Sequence, residues 1–402
     1  MVDVKRTPIS VRPVHIAVLA VFALVLRCSS VSAVYFADSF RHVNAIANGS
    51  LTLQPPGYFL FNLTGWMASR LLHLSIPHAL DVINIFFGVG GVVVFYALCC
   101  LLFETQHALL LSLAYACSPV AWFASDIQCT YASATFFAPL LLFLVRGKKY
   151  FAWGCFAWAI MAGFRPADGG FVLPWMLYEA IGVTWSARLK GLVLAAAGFL
   201  LWWIPTAQRF GGTFLAPVTK SRGQAATLAK GVLAGHPSLY ALTNCVRACT
   251  AMTLAWGILT PLVVIAIVWL WRHDGWVRSL AAWMTPGVAF FLLYYISDAV
   301  LFSFCVAPGF LVVGFLLARM GRKRLQTAIY SAAVACSLIF MYGARPVSSK
   351  TKLGAVVDAY FVSFSAWALQ HQYGPTLKEL IGACGQPGVL AAHSTRASHS
   401  GA

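Results

Sequence analysis

Charged residues are scarce in this sequence, and acidic residues are the scarcest. Only 10% of the 402 residues are charged, and 11 Asp and Glu stand against 28 Lys and Arg, which gives a net charge of +17. So small a charged fraction excludes an ordinary soluble domain, in which about a quarter of the residues are charged. The basic excess does not indicate a nucleic-acid-binding protein, because the Lys and Arg residues lie between apolar runs and form no basic face interleaved with aromatic residues.

Recognisable binding motifs are also missing among the cysteines and glycines. The eleven cysteines show no metal-ligand spacing, since Cys99 and Cys100 are adjacent and Cys245 and Cys249 are one helical turn apart. They are predicted to be apolar residues that pack between helices. No glycine-rich phosphate-binding loop is present, which disfavours a nucleotide ligand.

Long apolar runs dominate the sequence instead. Hydrophobic residues make up 60% of the chain, and the mean hydropathy is +0.79. An apolar run of roughly 17–25 residues is long enough to cross a bilayer as a helix. The sequence therefore predicts an all-α polytopic membrane protein. About eleven spans are expected, near residues 14–36, 82–103, 108–123, 129–146, 150–163, 170–186, 190–207, 248–271, 278–296, 300–318 and 326–343.

The distribution of Lys and Arg predicts the orientation of these spans. Positive residues in short loops collect on the cytoplasmic side of a membrane. If the N-terminus is cytoplasmic and residues 37–80 are outside, every basic cluster falls on the cytoplasmic side. The clusters are Lys5, Arg6 and Arg12; Arg146, Lys148 and Lys149; Arg188 and Lys190; Arg272 and Arg278; and Arg319, Arg322, Lys323 and Arg324. The segment from Pro56 to Leu74 is then a re-entrant or interface-lying helix pair, because a full span there would invert all later loops.

This topology predicts one transmembrane unit, residues 1–343, followed by an exterior tail, residues 344–402. Two exterior segments are long enough to build a site, residues 37–80 and residues 208–247. The tail is expected to hold a short amphipathic helix near residues 355–371 and to end in a disordered stretch rich in Gly, Ser and His.

A carboxylate directly after the first span is the strongest candidate for chemistry. Asp38 is followed by Arg41 and His42 on the same helical turn, and the Gln-Pro-Pro-Gly-Tyr turn from Gln54 to Tyr58 folds the chain back toward it. A carboxylate near an opposing charge can act as a general base on a hydroxyl or an amine. The alternative is a solvated carboxylate that caps a helix and takes no part in chemistry.

A second carboxylate, Asp126, lies in the next exterior loop before the fourth span. In one interpretation it stabilises the N-terminus of that helix, which is worth about 0.3–1 kcal/mol. In the other interpretation it lies beside Asp38 and helps to hold a metal ion or the acceptor. The residues alone leave both interpretations open.

Arg165 interrupts an apolar stretch between the fifth and sixth spans. An arginine at membrane depth is costly unless it is paired or faces a polar cavity. It therefore either pairs with Asp168, three residues on, or clamps a phosphate, which suits its planar fork of donors. Arg27 in the first span raises the same question and is interpreted as a side chain that snorkels to the interface.

Taken in order, these motifs resemble those of the GT-C membrane glycosyltransferases, in particular bacterial relatives of protein O-mannosyltransferases and of the lipid A aminoarabinose transferase. The resemblance covers roughly residues 14–320 and rests on the order and the membrane placement of short motifs. The matching pieces are Asp38, Gln54 to Tyr58, Ser118-Pro119 with Trp122, Gly163-Phe164-Arg165, Leu173-Pro174-Trp175, and Ser297-Asp298 followed by Pro308.

The resemblance implies a sugar donor linked to a polyprenyl phosphate, and transfer to a glycan, lipid or protein acceptor outside the cytoplasm. Asp38 would be the catalytic base of a single displacement that inverts the sugar. The residues implied near the donor phosphate are Arg165, Arg41, Lys220 and Arg222. The residues implied near the acceptor or a divalent metal ion are Asp126, His42, Gln54 and Tyr58.

Two departures from the family pattern bear on the acceptor. Gln54 replaces the usual histidine, and it can donate a hydrogen bond but cannot carry charge. The acidic residue of the second family loop aligns nearer Cys129, which leaves Asp126 about one helical turn early. The resemblance therefore implies either an unusual acceptor or a lost activity.

Two alternatives from other classes stay open. A transporter or flippase of lipid-linked sugars would place ionisable residues near the bilayer midplane and often shows repeated halves. Here the charges lie at the ends of exterior loops, and no internal repeat is evident. A non-catalytic scaffold is favoured by Gln54 and by the position of Asp126. The transferase interpretation implies a multi-pass protein of a bacterial inner membrane whose site faces the periplasm.

Overall fold

The structure, a computed structural model, describes residues 11–30, 37–52, 57–146, 148–221, 237–293, 299–345 and 365. Helices form nearly all of the regular structure in these ranges, and no strand occurs within them. The α-helices are α1 (Pro13–Cys28), α2 (Ala37–Ala47), α3 (Phe59–Leu71), α4 (Ile76–Leu102), α5 (Thr105–Ala116), α6 (Pro119–Asp126), α7 (Ala132–Arg146), α8 (Phe151–Phe164), α9 (Pro166–Ala180), α10 (Trp185–Phe210), α11 (Pro237–Trp256), α12 (Thr260–Leu270), α13 (Gly275–Leu293), α14 (Ser303–Met320) and α15 (Lys323–Gly343).

Prolines mark the start of several helices. Pro13, Pro119 and Pro166 begin α1, α6 and α9, while Pro77 and Pro261 are the second residues of α4 and α12. A proline is tolerated there because the first N–H groups of a helix have no acceptor within the helix. Helix starts in this chain are therefore encoded locally.

Each predicted span contains a helix or two consecutive helices, which confirms the all-α polytopic prediction. The first helix, however, ends at Cys28, and residues 31–36 of the span predicted at 14–36 lie outside the described residues. Among the described residues, six helical stretches are long and apolar enough to cross a membrane, and a seventh is added if α5 and α6 form one bent span. The helices α1, α7 and α8 are apolar but shorter. The count of about eleven spans therefore stays a prediction.

Two predicted spans are broken in the structure. The span expected at 108–123 is the pair α5 and α6, which are bent by 55°. Pro119 explains the bend, because proline disfavours a helical conformation of the preceding residue, and Ser118 is extended at ψ 121°. The span expected at 248–271 is interrupted by a 3-10 turn at Gly257–Leu259 between α11 and α12.

The core of the bundle lies around α4 and α14. Nearly every residue of α14 is buried, and this helix packs against α5, α7, α12 and α13. In contrast, α1, α10 and α12 carry large apolar side chains on their outer faces. Examples are Val18, Val21 and Val25 on α1, Leu192 and Leu201 on α10, and Val268 on α12. Such a surface suits contact with lipid, where backbone groups are satisfied inside helices.

Charged side chains are separated to the two ends of the bundle. At one end, ion pairs join neighbouring helices: Arg146–Glu179, Arg319–Asp274 and Lys323–Glu104. At the opposite end, α1, α6 and α8 finish while α2 and α9 begin. The charged residues there include Arg27, Asp38, Asp126, Arg165 and Asp168. We call this second end the site end. The predicted topology puts it outside the cytoplasm.

Candidate functional site

Asp38 lies in the first turn of α2. A carboxylate in this position is stabilised by the helix dipole. Its Oδ1 accepts a hydrogen bond from Arg41 Nη1 at 3.0 Å, and the Asp38 side chain keeps 29% of its surface exposed. The structure therefore provides an accessible carboxylate with a cation beside it.

His42 follows Asp38 by one turn of α2 and is buried. Its Nδ1 is 2.7 Å from Asn62 Oδ1, and Asn62 Nδ2 donates to the Leu51 carbonyl at 3.1 Å. Because the Asn62 nitrogen is used in that second bond, the Asn62 atom that faces His42 is the oxygen, which can only accept. Nδ1 of His42 is therefore the donor, and its Nε2 keeps a lone pair. Burial lowers the pKa of His42 to about 4, so the ring is neutral near pH 7.

Gly57 and Tyr58 bring the chain back to α2. Gly57 has φ +114°, and a Cβ at this position would lie 2.6 Å from Thr206 Cγ2 on α10, so only glycine fits. The Tyr58 ring lies edge-on to the His42 ring, with 5.7 Å between the ring centroids. Desolvation raises the pKa of Tyr58 to about 12, against the opposing charge of Arg165. The phenol is therefore a neutral donor.

Arg165 occupies the break between α8 and α9, where its extended backbone (φ −149°) separates the two helices. Its Nη1 is 2.7 Å from Asp168 Oδ1, and both side chains are buried. Its guanidinium also lies 4.5 Å from the centroid of the Tyr131 ring. The pairing with Asp168 is the first of the two interpretations drawn from the sequence, while phosphate binding stays a prediction.

Two segments far apart in sequence, the start of α2 and the α8–α9 break, lie near Tyr58. The His42 ring of α2 contacts the Tyr58 ring, and Gly163, near the end of α8, packs against Leu60, two residues after Tyr58. The charges of Arg165, Asp38 and Asp168 and the thiol of Cys129 act electrostatically on the Tyr58 phenol. We call these residues, with His42, the Tyr58 centre.

The segment between α6 and α7 forms one wall of this centre. Asn84 on α4 holds it, since Asn84 Nδ2 donates to the carbonyls of Ile127 at 2.5 Å and Cys129 at 3.1 Å. Cys129, at the position where the family's acidic residue aligns, is buried and acts electrostatically on Arg165. A thiol therefore lies near Arg165 where the family pattern implies a carboxylate.

Asp126 is placed differently from the first of its two sequence interpretations, while the second, a role near the acceptor or a metal ion, stays a prediction. It is the last residue of α6, so the prediction that it stabilises a helix N-terminus is wrong. It is buried and accepts a hydrogen bond from Ser30, two residues after the end of α1, and the charge of Arg27 on α1 acts on it electrostatically. A carboxylate at the C-terminus of a helix is disfavoured by the helix dipole, so the Asp126 carboxylate needs a hydrogen-bond donor such as Ser30.

The burial of Arg27 inside the bundle was not predicted from the sequence. The interpretation that it snorkels is wrong, because its side chain is fully buried. Its Nη1 donates to the Ala23 carbonyl at 3.3 Å, and a Cβ on Gly88 would lie 2.3 Å from its Nε. The apolar run around Arg27 hid the signal, because Asp126, the opposite charge that acts on it, lies far along the chain.

The remaining candidates are more distant or lie outside the described residues. Lys220 is exposed, and its Nζ is 5.7 Å from the centroid of the Phe210 ring, which packs against Gly57. Gln54, Arg222, Asp298 and the helix expected near 355–371 fall outside the described residues. Within the described ranges, no three His, Cys, Asp or Glu side chains are grouped to hold a metal ion. The divalent ion therefore stays an expectation from the sequence.

The bundle of apolar helices is that of a polytopic membrane protein, and its fold is the one that the motif resemblance implied. The structure is similar to ArnT from Cupriavidus metallidurans bound to undecaprenyl phosphate, with a TM-score of 0.59 and 15% identity, covering 94% of this chain and 73% of ArnT. The apo structure of ArnT is matched with a TM-score of 0.58 and 14% identity over 90% of this chain and 76% of ArnT. No family model matches the sequence, and no curated protein matches it. At this identity the likeness establishes the fold.

Proposed function

We propose that this protein is an integral-membrane glycosyltransferase that moves a sugar from a polyprenyl-phosphate donor to an acceptor on the extracytoplasmic side. The observation that supports the proposal is that an accessible carboxylate, Asp38, and a buried cation, Arg165, lie at the same end of a membrane bundle, on segments that pack around Tyr58. The bundle has the fold of ArnT, which was solved bound to undecaprenyl phosphate. A base and a buried cation at one centre are the two groups that this transfer requires.

Arg165 is the proposed binding group for the donor phosphate. Its fork of N–H donors suits two phosphate oxygens, and its contacts with Asp168 and Tyr131 hold the guanidinium in place. A preorganised cation stabilises negative charge as the phosphate departs. The neutral phenol of Tyr58 adds a hydrogen-bond donor at the same centre.

Asp38 is the proposed general base. An acceptor hydroxyl attacks the anomeric carbon as the bond between that carbon and the phosphate oxygen breaks. The electron pair of that bond leaves with the phosphate, and the hydroxyl proton passes to Asp38. One displacement of this kind inverts the configuration of the sugar. Arg41 holds the Asp38 carboxylate until the acceptor arrives.

The test is the substitution Asp38→Asn in the purified full-length protein. Asparagine keeps the size of the side chain but cannot take the proton, and general-base catalysis contributes about 10²–10⁴-fold. Transfer from a panel of undecaprenyl-phosphate-linked sugars should therefore fall at least about 100-fold. Binding of undecaprenyl phosphate and the thermal unfolding midpoint should be unchanged, so the loss lies in turnover.

Asp274→Asn is the matched control, because Asp274 forms a similar ion pair with Arg319 at the opposite end of the bundle. It should leave transfer unchanged. Full transfer by Asp38→Asn would remove Asp38 from catalysis. If the wild-type protein transfers no sugar of the panel but moves undecaprenyl-phosphate-linked sugars across a vesicle membrane, the protein is a flippase.

A further inference from the structure

A polar cavity opens at the site end. It lies near the C-terminal end of α2, whereas Asp38 lies near the N-terminal end of the same helix. Its volume is about 500 Å³. It lies between the C-terminal ends of α2 and α3 and is closed by the turn that leads into α4. The lining residues that matter for its chemistry are Trp66, Ser69, Arg70 and His73.

This cavity favours an anion. Arg70 and His73 are both exposed, and no carboxylate belongs to the lining. In the part of the chain that the structure describes, the Arg70 guanidinium makes no hydrogen bond and no ion pair. A guanidinium without an acidic neighbour binds a phosphate or a carboxylate through two oxygens.

The rest of the lining favours a saccharide. Trp66 is 40% exposed, so its indole face is open to a ligand. Ser69 Oγ donates to the Leu74 carbonyl at 2.7 Å and keeps its lone pairs for a ligand hydroxyl. An apolar aromatic wall with a few fixed polar groups is typical of a small-molecule site. The ligand that matches this lining is a sugar that carries an anionic group.

The backbone around the cavity is held in an unusual conformation. Among the described residues, four that are not glycine have positive φ, and three of them lie in the exterior segment: Leu51, Tyr58 and His73. Residues in this conformation are costly and are retained where the surrounding structure holds them, often at binding sites. His73, at φ +53°, belongs to the cavity itself.

We infer that this cavity binds the acceptor, and that the acceptor is an anionic saccharide. The inference rests on the proposed function, because α2 connects the cavity to the proposed base. At about 1.5 Å per residue, the path along α2 from Asp38 to Ala47 is roughly 13 Å. An acceptor that occupies the cavity and also reaches Asp38 must therefore be at least about 13 Å long.

The experiment measures binding to the full-length protein in nanodiscs of phosphatidylcholine. The probes are glucose 1-phosphate, glucose and inorganic phosphate, read by saturation-transfer NMR. Glucose 1-phosphate should bind more tightly than either of the other two. Arg70→Gln and Trp66→Leu should each weaken its binding about ten-fold or more, since each removes one half of the recognition. Arg324→Gln, which changes an exposed arginine at the other end of the bundle, should have no effect.

Three outcomes overturn the inference. If inorganic phosphate binds as tightly as glucose 1-phosphate and Trp66→Leu has no effect, the cavity is an adventitious anion contact only. If Arg70→Gln instead abolishes affinity for vesicles that contain phosphatidylglycerol while glucose 1-phosphate does not bind, Arg70 contacts lipid headgroups. Loss of binding in Asp38→Asn would show that the cavity is not separate from the Tyr58 centre. Since binding is read without transfer, a protein that binds the probe but transfers no sugar contradicts the proposed function alone.

Discussion

Arg165 shows how one buried side chain links the fold to the proposed donor. Arg165→Lys should keep part of the affinity for undecaprenyl phosphate, because lysine keeps the charge and loses the planar fork. The double variant Arg165→Ala/Asp168→Ala should weaken this binding about 10–150-fold, since a charge-assisted hydrogen bond contributes roughly 1.5–3 kcal/mol. Removing both partners avoids an unpaired buried carboxylate. Wild-type affinity in the double variant would make the pair purely structural.

His42 should make the stability of the protein depend on pH. Its pKa is about 4 in the folded protein against an ordinary value of 6.5. Between these values the unfolded chain binds a proton that the folded chain does not bind, so acid favours unfolding. The stability should be complete above pH 6.5 and should fall by up to about 3 kcal/mol as the pH is lowered toward 4, at about 1.36 kcal/mol per pH unit.

The measurement for His42 is the thermal unfolding midpoint in detergent between pH 7 and pH 4. His42→Gln lacks the titrating group, so its midpoint should change less over the same interval. A decline of equal size in the variant and in the wild-type protein would assign the acid sensitivity to other groups.

Among the elements, α1 and α6 each place a buried charge at the site end, Arg27 and Asp126, and the two opposite charges act on each other. Asp126→Leu should destabilise the protein by about 3–5 kcal/mol, because it removes the opposite charge that acts on a buried guanidinium. The double variant Arg27→Met/Asp126→Leu should recover most of this loss, since apolar residues of similar volume often replace two buried opposite charges without cost. Thermal unfolding of the single and double variants measures the difference.

The exposed pair of Lys323 with Glu104 provides the comparison for this buried pair. Both side chains are more than two-thirds exposed, at 70% and 72%. Lys323→Met should therefore change the stability by no more than about 1 kcal/mol. If Asp126→Leu lowers the free energy of unfolding as little as Lys323→Met does, the opposite charges of Arg27 and Asp126 do not hold α1 to α6.

At the scale of the whole molecule, the distribution of charge predicts which end faces outward. Single cysteines are introduced at Asn48, in the exterior segment, and at Lys149, after α7, in a background without reactive native cysteines. An impermeant thiol reagent added from outside should label position 48 and leave position 149 unlabelled, because basic loops are retained in the cytoplasm. Labelling of position 149 alone would invert the topology.

The candidate site could be predicted only in part. Asp38, Tyr58 and Arg165 could be selected as candidates because each is a polar residue beside an apolar run. That pattern is visible in the sequence immediately around each residue. The roles of Arg27, Asp126 and Asn84 could not be predicted. Their partners lie on other helices, and helix packing alone decides which faces meet.

The sequence by itself determined that this is an all-helical membrane protein and, through prolines, where five of its helices begin. Apolar length and proline position act on each segment separately, since a helix in lipid satisfies its own backbone groups. Only the tertiary structure decided which charged residues pair, that Cys129 lies near Arg165, and that a cavity forms beside Arg70. These features depend on contacts between segments distant in sequence, and their energies exist only once the helices have packed.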